Sequence, residues 1–148
     1  MPSSRTPAAG PVGYAAFVQL HRRSYERYAH ARLGDSALAI RVVAQVLRQA
    51  ELGWITMLRE NPAAFTWRVL REAVTTARAE ACDSQADGLH RALPERDADA
   101  ALLHERLGME TGAAASLMGL GEPEVHVQLR AARRMLAGLD SHGREGTV

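Results

Sequence analysis

Residues 111–132, TGAAASLMGLGEPEVHVQLRAA, decide how the chain folds. Ala115 is a small residue where two helices can cross, Gly119 serves a tight turn, and Val125 is an aliphatic anchor for a second helix. That spacing is the physical signature of a helix-turn-helix, whose second helix is presented outward to lie in a major groove. An ordinary helical hairpin is the competing reading, since Ala and Gly abound here. Downstream, Val125, Leu129, Ala132, Leu136 and Leu139 step by four and three and predict one buried stripe. With those inside, His126, Val127, Arg130 and Arg134 turn outward and Arg133 lies on the flank.

Upstream, Pro94 starts a predicted helix carrying Ala101, Leu102 and Glu105, and a short alanine-rich helix spans Glu110 to Met118. Residues 81–92, ACDSQADGLHRA, lose periodicity and read as a linker. Before it, three helices are expected. The first carries Phe17, Leu20, Tyr25, Tyr28 and Leu33 and stops at Gly34-Asp35. The second, capped by Ser36, has Ile40, Val43 and Leu47 in one stripe widened by Val42 and Val46. The third starts at Asn61-Pro62 and buries Phe65, Val69, Ala73 and Ala77. The expected organisation is an all-α chain of two small helical domains, 14–80 and 93–139, with a disordered arm at 1–13 and a tail at 140–148.

Composition limits the chemistry. Aromatic residues make up 5% of the chain, which favours helices packed by small aliphatic side chains over sheets. A single Cys82 rules out an internal disulfide, and no Cys/His spacing matches a zinc site. The N-terminus lacks the apolar core of a signal peptide and no apolar run reaches membrane-spanning length, so a cytoplasmic protein with no membrane partner is expected. All 18 basic residues are arginine, and they are unevenly placed. Residues 1–80 carry 11 Arg against 6 carboxylates and residues 81–148 carry 7 against 11, so the first half is the better match for an anionic partner. The six histidines are scattered, no Gly-rich phosphate loop is present and no nucleophile has a recognisable partner. No catalytic residue, metal or cofactor is therefore expected.

Beyond these patterns, Leu93-Pro94-Glu95-Arg96, Leu102-Leu103, Gly108-Met109, Ala115, Gly119-Leu120, Glu122, Val125, Leu129 and Ala132-Arg133-Arg134 together resemble region four of bacterial sigma factors of the extracytoplasmic-function type. The first half is similar to region two: Phe17, Leu20, Tyr25, Leu33-Gly34-Asp35 and Ala37 match its opening, and Pro62, Ala64-Phe65, Arg68-Val69 and Arg71 its promoter-facing helix. The resemblance implies a region two that grips core RNA polymerase and opens the promoter, a region four that reads the upstream element, and no enzyme activity. An anti-sigma or other regulatory protein is a further partner it suggests.

Residue by residue, the polymerase-facing positions carried over are Arg41, Ala44, Gln45 and Arg48 on the second helix. There Ile40 and Arg41 stand where the family usually has acids, which thins the polar surface and partly reverses its sign. Candidates for promoter contact are Arg68, Arg71 and Arg78 for phosphates, with Trp67, off the predicted stripe, for base stacking. On the last helix they are His126, Val127, Arg130, Arg133 and Arg134. Residues 93–139 nonetheless hold 5 Arg against 7 carboxylates, which opposes tight DNA binding by that half alone. The rival reading is a degenerate sigma paralogue acting as a protein-interaction regulator without reading DNA.

Overall fold

Helix ends, set by a few side chains, organise the first half of the chain. The computed structural model describes residues 11–80 and 87–145, and these are helical with no strand among them. The chain divides into two compact units, Met1–Ala86 with Leu117–Gly119 and Asp87–Ser116 with Leu120–Val148. In the first, α1 (Pro11–Leu33) is followed by α2 (Ser36–Leu52), α3 (Trp54–Met57) and α4 (Pro62–Glu80). Gly34 takes a φ of 72° and its amide donates to the His30 carbonyl at 2.8 Å, which closes α1. Asp35, rather than the expected Ser36, caps α2 by accepting from the Leu38 amide at 3.0 Å. A carboxylate there satisfies the free amide and adds a full charge opposite the helix dipole. Asn61 caps α4 in the same way, accepting from the Ala64 amide at 3.2 Å.

The inward line of α1 runs from half-buried Phe17 through the buried His21, Tyr25, Tyr28 and Arg32, at the four-four-three-four spacing of one helix face. Tyr25, Tyr28 and Leu33 are fully buried, whereas Leu20, expected inside, is 71% exposed. Two polar residues complete the line because each offers an apolar or ring surface to it. His21 lies 4.7 Å from the Phe17 ring and stacks on Tyr25. Arg32 sits over the Tyr28 ring and donates to its hydroxyl at 3.3 Å. On α2 the buried arc is Ala39, Val42, Val43, Val46, Leu47 and Ala50, and Ile40, expected on the stripe, stays half-exposed at its edge.

Helix α4 is rotated relative to its expected face. The buried residues are Thr66, Trp67, Leu70, Val74 and Ala77, while Phe65, Val69 and Ala73 are half-buried. A line through Trp67, Leu70, Val74 and Ala77 removes more apolar surface from water than one through Phe65, Val69 and Ala73, so it wins the core. Trp67 packs 4.4 Å from the Tyr28 ring and 6.2 Å from Tyr25. A satellite cluster of Ala50, Trp54 and Met57 gathers Tyr14, Phe17 and Phe65, and the Tyr14 hydroxyl donates to the Leu47 carbonyl at 2.7 Å.

The second unit comprises α5 (Gly88–Ala92), α6 (Glu95–Ala101), a π-helical continuation (Leu102–Arg106), α7 (Thr111–Met118, shared at its end with the first unit) and α8 (Glu122–Glu145). Its core is aliphatic, built on Leu93, Ala98, Ala101 and Ala132 with Leu89, Ala92 and Leu136 against them. Asp99 is fully buried and is compensated by His90, whose Nε2 lies 2.6 Å from its carboxylate. Asp87 flanks the other ring nitrogen of His90 at 3.5 Å.

Several expected boundaries shift. Of the arm expected at 1–13, residues 1–10 lie outside the described residues, and Pro11–Gly13 belong to α1. Of the linker expected at 81–92, residues 81–86, with Cys82, lie outside the described residues, and Gly88–Ala92 form α5. Helix α8 carries the expected 140–148 tail as far as Glu145, with 146–148 outside the described residues, and Leu139 on it is 53% exposed rather than buried.

Two expectations follow from this core. Trp67→Ala should lower the unfolding free energy by about 3–5 kcal/mol, whereas Leu20→Ala should change it by less than about 0.5 kcal/mol, as read by urea unfolding. Burial lowers the pKa of His21 below its ordinary value. The unfolded chain then binds a proton that the folded chain resists, so this contribution is intact above about pH 6.5 and is lost as pH falls below it. The drop in melting temperature between about pH 7.5 and pH 5.5 should be smaller in His21→Phe than in the wild type.

Candidate functional site

The outward face of α8 is created by what precedes it. At the end of α7, Gly119 takes a φ of 71° and the Leu120 amide donates to the Ala115 carbonyl at 2.9 Å, a six-to-one closure that stops the helix. Gly121 then donates to Glu124 at 3.3 Å, and the Thr111 hydroxyl donates to Glu122 at 2.6 Å, fixing the first turn of α8. Val125, Leu129 and Ala132 are buried. By helical geometry this places Val127, Arg130 and Arg134 on the opposite side and His126 and Arg133 on one flank, and all five are exposed.

That flank is furnished with polar partners. The Arg133 Nε donates to Glu105 at 2.8 Å, and His126 Nε2 lies 3.7 Å from Glu122. Opposite stands the π-helical segment, in which the Leu107 amide reaches back to the Leu102 carbonyl at 2.9 Å. It carries His104, whose Nδ1 lies 2.7 Å from the Met109 carbonyl oxygen. A carbonyl can only accept, so that nitrogen carries the proton. His104 was not legible as a site residue in the sequence, because nothing in the pattern signals the extra residue in the helical turn.

In the first unit the expected nucleic-acid residues divide. Trp67 is 2% exposed and wedged against Tyr25 and Tyr28, so it is a core residue and is not available to stack on a base. This corrects the expectation that it lies off the buried stripe. Arg68 is exposed, with its guanidinium 5.3 Å from the centre of the Phe65 ring. Arg71 and Arg78 are half-buried and each has partners within the fold.

On α2, Arg41, Gln45 and Arg48 are exposed and fall with Leu52 on one face, opposite the buried arc, while Ala44 is half-buried at its margin. Leu52 is 85% exposed, so apolar surface adjoins this cationic strip, and Ile55 on α3 is 72% exposed. Sequence reasoning missed both, because an exposed leucine looks like any other until the face it sits on is known. Among the described residues, no group of three or more His, Cys, Asp or Glu side chains is placed to hold a metal ion, and no helix is long and apolar enough to cross a membrane. No protein-family model matches the chain, and no curated protein matches it.

The exposed arginines should be nearly silent in folding. Arg130→Ala and Arg134→Ala should each change the unfolding free energy by less than about 0.5 kcal/mol in urea. Arg133→Ala, which removes an exposed pair with Glu105, should cost about 0.2–1 kcal/mol. A larger loss at Arg130 would make it a packing residue.

Proposed function

We propose that this chain is a sigma-factor-like transcription initiation protein of two domains. In this reading residues 14–80 bind core RNA polymerase, and residues 93–139 form a helix-turn-helix that contacts upstream promoter DNA. The observation that carries the reading is the face of α8 after the Gly119 turn, where Val127, Arg130 and Arg134 are exposed opposite buried Val125, Leu129 and Ala132. Arginine there can pair with guanine edges or phosphates, and a valine can touch a thymine methyl. Contact with an opened strand rests on Arg68, since Trp67 is buried and Arg71 and Arg78 are engaged.

A second reading is favoured by a different observation, the exposed apolar Leu52 on the same face of α2 as Arg41, Gln45 and Arg48. Such a mixed surface suits a protein partner, and a sigma paralogue that regulates through protein contacts alone would need nothing more.

Binding to purified core RNA polymerase at rising salt, followed by run-off transcription, tests both. The first reading expects new transcripts that disappear in Arg130→Glu/Arg134→Glu while polymerase binding persists. Two phosphate contacts would weaken DNA affinity about tenfold between about 50 and 200 mM salt. Unchanged transcripts in the double variant would sink the α8 assignment. Polymerase binding without transcripts, abolished by Arg41→Glu/Arg48→Glu, would establish the second reading.

A further inference from the structure

An open cleft of about 800 Å3 lies between the π-helical segment and the first turns of α8, entirely within the second unit. Its size falls in the range of about 300–1,000 Å3 typical of small-molecule sites. His104 forms one wall, and His126, Arg130 and Arg133 form the other. Pro123 and Val127, both exposed, add apolar surface at the rim.

The charges are arranged for an anion. Arg130 makes no hydrogen bond or ion pair with the described residues. Arg133 uses Nε on Glu105, which fixes the plane of its guanidinium and leaves both terminal nitrogens as donors. The second nearby carboxylate, Glu122, is bonded to the Thr111 hydroxyl and stands beside His126. His104 spends Nδ1 on the Met109 carbonyl, so only Nε2 remains for a ligand. Two guanidinium groups, one without a partner among the described residues and one held in orientation, match the geometry and charge of a phosphate better than those of a neutral or cationic ligand.

We propose that this cleft binds a phosphate ester of nucleotide size, with the phosphate held by Arg130 and Arg133 and the ring system against Val127 and Pro123. The same chemistry is offered by a free nucleotide and by the backbone of DNA. Nucleotide binding requires only the cleft. Competition between nucleotide and duplex, because both need Arg130 and Val127, rests on the reading of α8 given above.

The test uses the full chain, labelled with nitrogen-15 and titrated with ATP, with adenosine and with duplex DNA, while the imidazole signals of His104 and His126 are followed. ATP should move both signals with a dissociation constant below about 1 mM, and Arg130→Ala should weaken it at least about tenfold. Adenosine should leave the signals unmoved, and Arg59→Ala, which removes an exposed arginine of the other unit, should bind ATP as the wild type does. Unmoved signals at about 5 mM ATP, or equal affinity in Arg130→Ala, would overturn the site, as would adenosine binding as well as ATP. Movement with DNA alone would overturn the nucleotide site and leave the DNA reading standing. Movement with ATP but not with DNA would support the cleft and remove the proposed competition.

Discussion

Trp67, held between the rings of Tyr25 and Tyr28, joins α4 to α1, and the rest of the first unit is arranged around that contact. All seven aromatic residues of the chain fall between Tyr14 and Trp67, so this unit alone has large rings to bury. Aromatic side chains contribute more buried area than any others, and once Trp67 is inside, the face that α4 turns outward is settled. Arg68 follows it to the surface, Phe65 is drawn to the satellite cluster with Trp54, and Leu70 and Val74 complete the inner line. A role for Trp67 in gripping an opened strand is incompatible with the same packing.

The second unit has no Phe, Tyr or Trp and solves the same problem with alanine. Ala98, Ala101, Ala114, Ala115 and Ala132 are buried, which lets short helices approach closely and makes each helix end matter more than each side chain. Gly108 and Gly119, both in left-handed conformations, supply those ends. The π-helical turn between Leu102 and Arg106 inserts one residue before the first of them and brings His104 to face α8. The candidate site is thus a product of how helices stop.

Much of the fold was legible because helix punctuation is local. Gly34, Asn61-Pro62 and Gly119 end or begin helices where their backbone and side-chain chemistry requires, and Val125, Leu129 and Ala132 form the inner stripe of α8 as their spacing predicts. What could not be read was competition between faces. Leu20 is apolar and exposed, whereas His21 and Arg32 are polar and buried, because the aromatic line of α1 selects its face and carries amphipathic residues in with it, and Ile40 falls at the edge of the aliphatic arc that α2 buries. Trp67 was misplaced for the same reason: the i+4 run through Phe65 was visible, but the larger side chain decided the rotation of α4. On the site, the exposed positions of α8 followed from its stripe, while His104 and the Glu105–Arg133 pair depend on a tertiary arrangement that no spacing encodes.

Charge is where segment totals mislead most. Residues 93–139 carry more carboxylates than arginines, which taken as a sum argues against any anionic partner. Yet the sum does not say what each carboxylate faces. Asp99 is buried on His90, Glu105 is bonded to Arg133, Glu122 to Thr111, and Glu124 to the Gly121 amide. Exposed charges more than about 8 Å apart are largely screened at physiological salt, so an anion arriving at α8 responds to its immediate neighbours and hardly to the total. There it meets Arg130, which has no partner among the described residues, and an Arg133 held in orientation by its own carboxylate. The lining of the α8 cleft holds Arg130 and Arg133 and no carboxylate, so the charge an anion meets there is set by that lining and by the exposed Glu105 and Glu122 beside it, and the total for the unit does not decide it.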